Sequence, residues 1–229
     1  MKTGTLRAFV FDAYGTLFDV MSVEARAEAL APGQGAALAR AWRAKQLETT
    51  WLASLMVSPG YRRPDFAAVT AMALDYAVAS LALPLDAAEQ AALIAEYLRL
   101  APYADASSAL DALAPMPRWI LSNGTRSMLD PLVAGSALAG RVDRIVSVDE
   151  VDVYKPSPRV YALAADQLGI APSAIGFVSA NGWDAAGAKS CGLRAFWINR
   201  SGAPVERHAP APDWIVGSLA EVAAIAAMH

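Results

Sequence analysis

The sequence predicts an α/β fold, a mostly parallel sheet into which a helical cap is inserted, and three observations predict it. An apolar run from Leu6 to Phe11 has the character of a strand buried on both faces and ends in Asp12-Ala13-Tyr14-Gly15-Thr16. Helical periodicity then holds from about Ser22 to Leu100 without a strand candidate. After Pro102, short apolar stretches alternate with helical ones, the pattern of βαβ units.

Taken in order, Leu6–Phe11 carries Asp12 at the carboxyl end of a strand, where open α/β sheets bind their ligands. Gly15 permits a tight turn at no steric cost, and Thr16 sets a hydroxyl beside it. Asp after a strand also serves as a plain turn cap, and this stretch alone leaves both jobs open. Ala36–Val57 reads as one long helix with Leu38, Trp42, Leu52 and Leu55 among its apolar positions. Ser58-Pro59-Gly60 breaks it; Pro64-Asp65 opens a helix to about Leu83, and Pro84-Leu85-Asp86 one ending near Leu100. Strands are predicted at Arg118–Ser122, Arg144–Val148, Ile175–Ser179, Ala195–Asn199 and Asp213–Val216. Helices fill Ala104–Ala114, Arg126–Ala139, Pro158–Leu168, Asp184–Cys191 and Ser218–Met228. Residues 1–18 and 101–229 thus form a Rossmann-like core, and 19–100 a cap that closes a water-restricted pocket over the carboxyl edge of the sheet.

Composition removes several classes of function. The 55% hydrophobic content and mean hydropathy of +0.31 are high for a soluble chain, but much of this is helical alanine. The longest uncharged stretch, Gln167–Trp183, is broken by Pro172, glycines and Asn181, so no membrane span is expected. Asp12 falls inside what would be the apolar part of a signal peptide, and the single cysteine, Cys191, suits a reducing cytoplasm. A net charge of -3 without a Lys/Arg cluster argues against nucleic acid. The only histidines, His208 and His229, are poor material for a Ser-His-Asp triad or a zinc site, and no Gly-x-Ser-x-Gly elbow is present. Cys191 reads as a buried small hydrophobe.

Three further strand ends are polar. Ser122-Asn123-Gly124 opens a helix whose free N–H groups attract anions. Lys155-Pro156 follows the third strand, with Tyr161 about a turn into the next helix. Ser179-Ala180-Asn181-Gly182-Trp183-Asp184 ends the fourth, and in this topology all of these edges can face Asp12. Asp19 and Asp149 read as loop or capping residues.

Over essentially its whole length this series resembles the haloacid dehalogenase superfamily: the Asp12 loop, Ser122-Asn123, Lys155-Pro156 and the segment ending in Asp184, in order. Within it, the stretches Phe11–Leu17, Trp42-Arg43-Ala44-Lys45-Gln46-Leu47-Glu48, Leu121–Gly124 and Ser179–Asp184 look most like the L-2-haloacid dehalogenases. The superfamily's phosphatases carry a second aspartate two residues after the nucleophile and extra carboxylates for magnesium; here Tyr14 and Ser179 stand at those places. The resemblance implies a cofactor-independent, metal-free hydrolase that converts small (S)-2-haloalkanoic acids to (R)-2-hydroxy acids with inversion, through an ester on Asp12. The alternatives are a magnesium-dependent phosphatase of the same fold and a non-catalytic binding protein.

Charge indicates what such chemistry requires. Two anions about 4 Å apart at an effective dielectric of about 20 repel by roughly 4 kcal/mol, about three decades in rate. Lys155 offsets that repulsion, and Ser122, Thr16 and N–H groups near Asn123 hold the substrate carboxylate or Asp12. The resemblance implies Arg43, with Asn123 and Trp183, as acceptor of the halide. It implies Asp184, Ser179 and Asn181 as the set that orients and activates water. Tyr14, Tyr161, Leu47, Phe66 and Trp183 are expected around the substrate, though core packing also demands such residues. The expected partners are a small 2-halocarboxylate and water, with a homodimer through the apolar cap helices by analogy.

Overall fold

The computed structural model describes residues 5–56, 58–207 and 210–228, so His208, His229 and the last residue of the helix expected at Ala36–Val57 lie outside the described residues. Among the described residues, one sheet contains six parallel strands: β1 (Ala8–Phe11), β2 (Arg118–Ser122), β3 (Arg144–Ser147), β4 (Ile175–Ser179), β5 (Arg194–Ile198) and β6 (Trp214–Val216). Their order is β3-β2-β1-β4-β5-β6. The chain builds outward from β1 to β3, then crosses back to lay β4 on the other side of β1. The topological switch point, where open sheets offer a crevice for ligands, therefore lies at the carboxyl end of β1. Both β1 and β4 are buried along their whole length, as strands covered on both faces must be.

Register brings the predicted strand ends together. Phe11 pairs with Ile120 on one side and Val178 on the other. Asp12 therefore leaves the sheet beside Ser179, with Ser122 two residues beyond Ile120, and its N–H still bonds the Val178 carbonyl at 2.9 Å.

Between Phe18 and Pro102 every described element is helical: a 3₁₀ turn, then α1 (Glu24–Leu30), α2 (Gly35–Leu55), α3 (Phe66–Ser80) and α4 (Ala87–Glu96). Asp65 and Asp86 cap the last two through their side chains, Asp86 in a full capping box with Glu89, as Pro-Asp and Leu-Asp starts suggest. The chain leaves and re-enters the core at one place. Phe18 bridges Pro102, the Asp19 N–H bonds the Ala101 carbonyl at 2.8 Å, and the Tyr103 N–H bonds that of Leu17 at 2.9 Å.

The remaining helices are α5 (Ala106–Ala112), α6 (Arg126–Ala134), α7 (Pro158–Leu168), α8 (Gly182–Ser190) and α9 (Leu219–Ala226). Helix α6 stops at Gly135, short of the Ala139 expected from periodicity. Leu52 and Leu55, read as apolar positions of α2, are exposed at 48% and 78%, and Cys191 is only half-buried. Among the described residues, no helix is long and apolar enough to cross a membrane.

Candidate active site

The site begins with the turn after β1. Gly15 has φ of +90°, a backbone conformation that strains any side-chain-bearing residue, and it folds Thr16 back under Asp12. The Thr16 hydroxyl donates to Asp12 Oδ2 at 3.0 Å and accepts the Ala180 N–H at 2.9 Å, tying the β1 turn to the β4 turn. Asn181 Nδ2 donates to the same Oδ2 at 3.1 Å, and Lys155 Nζ donates to Oδ1 at 3.1 Å. The ammonium also reaches Asp184 Oδ2 at 3.0 Å, so one cation bridges two carboxylates while only 1% exposed.

Asp184 enters from the first turn of α8, where Asn181 is the capping position. Its other oxygen, Oδ1, accepts the Tyr161 hydroxyl at 2.7 Å. That approach depends on Gly187: a Cβ there would stand 2.5 Å from the Tyr161 hydroxyl oxygen. Burial pushes the Asp184 carboxyl above its ordinary value; Lys155 and the Tyr161 hydrogen bond act against the rise, and Asp12 adds to it. Burial alone would lower the Lys155 ammonium, but Asp12 and Asp184 together outweigh it and raise the pKa.

The β2 edge adds two groups. Ser122 Oγ accepts the Gly124 N–H at 3.1 Å, and Asn123 Oδ1 accepts the Lys155 N–H at 3.0 Å, which aims the amide NH₂ of Asn123 the other way. The Ser179 hydroxyl accepts the Asn181 N–H at 3.1 Å and so shapes the β4 turn.

From the cap, α2 delivers Arg43. Its Nη1 donates to Gln46 Oε1 at 2.7 Å and its Nη2 to the Tyr14 carbonyl at 3.3 Å. Among the described residues it forms no ion pair. A half-buried guanidinium without a carboxylate is a place for an anion. Gln46 is itself anchored: its Nε2 donates to Thr70 Oγ1 on α3 at 2.7 Å, and Thr70 donates to the Phe66 carbonyl at 2.6 Å. Sequence reasoning missed Thr70 as part of the site. It gives no signal among the apolar residues of α3, whereas Gln46, three residues after Arg43, shares its helix face. Arg200 was also missed; its guanidinium donates to the Gly15 and Thr16 carbonyls and pins the Asp12 turn from outside.

A small cavity of about 10 Å³ is lined by Asp12, Tyr14, Arg43, Leu47, Phe66, Ser122, Asn123, Lys155, Asn181 and Trp183. All ten were singled out from the sequence. The other four stand behind its wall, and one of them takes a different place from the one expected. Tyr161, expected against substrate, supports Asp184 instead, because α7 sets it beneath α8. Thr16 turns to Asp12, which decides between the two partners open to it. Tyr14 stacks on Phe66 at 5.5 Å, and its buried hydroxyl has no partner among the described residues. Burial, and then Tyr97, raise its pKa far above the usual phenol range. Asp19 caps the 3₁₀ turn that follows it, as its capping reading expects, whereas Asp149 lies inside a 3₁₀ turn capped by Ser147 and pairs with Arg63.

The donor set does not fit the magnesium of the fold's phosphatases. The Lys155 ammonium lies between the two carboxylates, an amide holds Asp12 Oδ2, and Arg43 covers the Tyr14 carbonyl. A hard cation needs those oxygens for itself.

Residues 6–192 match the model of haloacid dehalogenase-like hydrolases. The chain is 44% identical over 219 residues to the (S)-2-haloacid dehalogenase of Pseudomonas sp. (strain YL), covering 95% of this chain and 93% of that protein. Its structure superposes on an L-2-haloacid dehalogenase with a TM-score of 0.93 at 42% identity, covering 98% of this chain and all of that one. A TM-score of 0.88 at 40% identity relates it to the L-2-haloacid dehalogenase of Xanthobacter autotrophicus with chloropropionic acid covalently bound, over 96% of this chain and 98% of that one. With the sheet order, the Asp12 turn and the Lys155-bridged carboxylates all in agreement, the chain belongs to the haloacid dehalogenase-like hydrolase family.

Proposed function

We propose that the protein hydrolyses small (S)-2-haloalkanoic acids to (R)-2-hydroxy acids, with Asp12 as nucleophile and no metal in the reaction. The observation that carries the proposal is Asp12 itself: a carboxylate directly after a buried strand, lining a small cavity together with a guanidinium that has no ion pair among the described residues. The covalently bound chloropropionic acid of the Xanthobacter relative supports the same chemistry.

Among the described residues, Asp12 Oδ2 carries two side-chain donors and Oδ1 one, so Oδ1 has the lone pair to give. It attacks C2 from the side opposite the halogen; the Oδ1–C2 bond forms as the carbon–halogen bond breaks, and the electron pair leaves as halide. Arg43, with the Asn123 amide and the Trp183 edge, receives that anion. Ser122 and Asn123 hold the substrate carboxylate, and Leu47, Phe66 and Tyr14 surround its carbon. Water then adds to the Asp12 carboxyl carbon and its proton passes to Asp184, whose raised pKa suits it as a base. The Cγ–Oδ1 bond breaks, the departing alkoxide takes that proton back from Asp184, and the hydroxy acid leaves with the old aspartate oxygen while the second water proton is lost from the re-formed Asp12 carboxyl to solvent. Configuration inverts once, in the first step. Residues 19–100 act as the cap over this chemistry.

The proposal extends to a cytoplasmic homodimer. The single cysteine supports a reducing compartment, and exposed Leu52, Met72 and Tyr76 on α2 and α3 support a contact through the cap.

Chloride release from each enantiomer of 2-chloropropionate, in buffer containing EDTA, tests the proposal. Release from the L form alone is expected, lost in Asp12→Ala and about 10²–10³-fold slower in Arg43→Ala. In single turnover in heavy-oxygen water, the first product should carry ordinary oxygen. Label appearing directly in that product, or activity that requires magnesium, overturns the mechanism.

A further inference from the structure

Beside the small cavity lies a second, far larger one of about 750 Å³, lined by Trp51, Ser54 and Leu55 of α2 and the Val153–Ser157 loop, with Trp183 and Glu206. Lys155 and Trp183 belong to the walls of both, so these two side chains are what divides them. Trp51 and Trp183 meet edge to face with ring centroids 5.5 Å apart.

We infer that this second cavity is a tail subsite, and that the enzyme accepts 2-haloacids whose alkyl or aryl chain extends well beyond C3. The inference rests on the dehalogenase reading above. The small cavity has room for about one water, so groups beyond the reacting carbon need space elsewhere. Tyr14, Leu47 and Phe66 line the small cavity as bulky walls, whereas across Trp183 and Lys155 the neighbouring space is the larger cavity. Several polar groups there are already engaged. Ser54 Oγ donates to the Thr50 carbonyl and accepts the Tyr154 N–H, the Tyr154 hydroxyl donates to the Pro64 carbonyl, and Lys155 is held by two carboxylates. Trp51, Leu55, Val153, Pro156 and Trp183 make most of the remaining lining, with Ser157 and the Glu206 carboxylate beside them, a surface that suits hydrocarbon and repels a second carboxylate. Leu55, 78% exposed at the end of a helix, gains a partner when such a tail lies against it.

The test compares kcat/KM for (S)-2-bromopropionate and (S)-2-bromohexanoate in wild type and Leu55→Asp. Each methylene that enters the subsite raises kcat/KM by up to about fourfold, so the hexanoate should exceed the propionate by at least tenfold. Leu55→Asp, at an exposed position, should erase that gain and leave the propionate value unchanged. A hexanoate that is turned over worse than propionate in wild type, or an equal loss for both substrates in the variant, overturns the inference. Calorimetric binding of unhalogenated hexanoate and propionate separates it from the dehalogenase reading. Tighter hexanoate binding that is lost in Leu55→Asp upholds the subsite even if no bromide is released. Equal binding of the two acids rejects it.

Discussion

Lys155 is one side chain between two carboxylates, and removing it leaves both facing each other in a buried space. Lys155→Met should destabilise the protein by about 3–5 kcal/mol at neutral pH, read from the denaturant midpoint at constant slope. The loss should shrink as pH falls, since the stranded carboxylates can then take up protons. Tyr161→Phe acts more finely. The Tyr161 hydrogen bond lowers the Asp184 pKa against the effect of burial, so the variant should shift the acid limb of kcat/KM to higher pH. A limb that stays in place, or moves down, would separate Asp184 from the rate. The two titrations also affect stability with known sign. Asp184 holds its proton more tightly in the fold than in the unfolded chain, so its contribution is greatest at low pH and falls as pH rises from 3.8 through the folded value. Lys155, also raised, contributes fully below 10.5, and that contribution is lost as pH rises through its folded value. Asp12 was legible because it directly follows a strand, and Lys155 and Asp184 because they come in order after the third and fourth strands of the βα series. The service of Tyr161 to Asp184 was not legible, because it turns on the contact of α7 with α8.

At the scale of elements, the strand ends carry the core groups of the site and α2 carries Arg43. The alternating pattern located all six strands to within about two residues at either end, because strands buried on both faces are apolar runs bounded by polar turns. Helix ends were less legible: α6 stops where Gly135 follows Ala134, though the apolar period continues. The link that positions Arg43 crosses between helices, from Gln46 on α2 to Thr70 on α3. Thr70→Val keeps the volume but leaves the buried Gln46 amide without an acceptor, at a cost of about 1–3 kcal/mol. If Arg43 receives the halide, that variant should also slow chloride release more than bromide release, because chloride is the poorer leaving group. An unchanged chloride-to-bromide ratio would show Thr70 to be a packing residue only.

At the scale of the whole molecule, cap and core leave little space between them at Asp12. A cavity of about 10 Å³ cannot admit substrate, so cap and core must part during turnover. Arg63 is a clasp on that motion. From the loop between α2 and α3 it reaches Asp149 at 2.7 Å and Asp152 at 3.1 Å, and lies 4.1 Å from the Tyr154 ring centroid. Both acids are partly solvated, so the clasp is worth only about 1 kcal/mol, equivalent to about a fivefold change in opening. Arg63→Ala should speed amide exchange in residues 58–65 by about that factor, and high salt should have a similar effect on wild type. Exchange unaltered by either would place the opening elsewhere.

The sequence by itself determined the sheet, the turn that presents Asp12 and the identity of every side chain around the small cavity. The sheet and the turn are written in neighbouring residues, an apolar run and a glycine that tolerates positive φ, whereas Arg43 and Leu47, in the middle of α2, were legible only through the likeness of Trp42–Glu48 to the family. Only the tertiary structure decided that Thr16 turns to Asp12, that Tyr161 stands behind Asp184, that Thr70 anchors Gln46 and that a large apolar space adjoins a nearly filled one. Those outcomes depend on which distant segment a side chain meets, and a polar atom in a packed interior takes whichever partner the fold brings within about 3 Å.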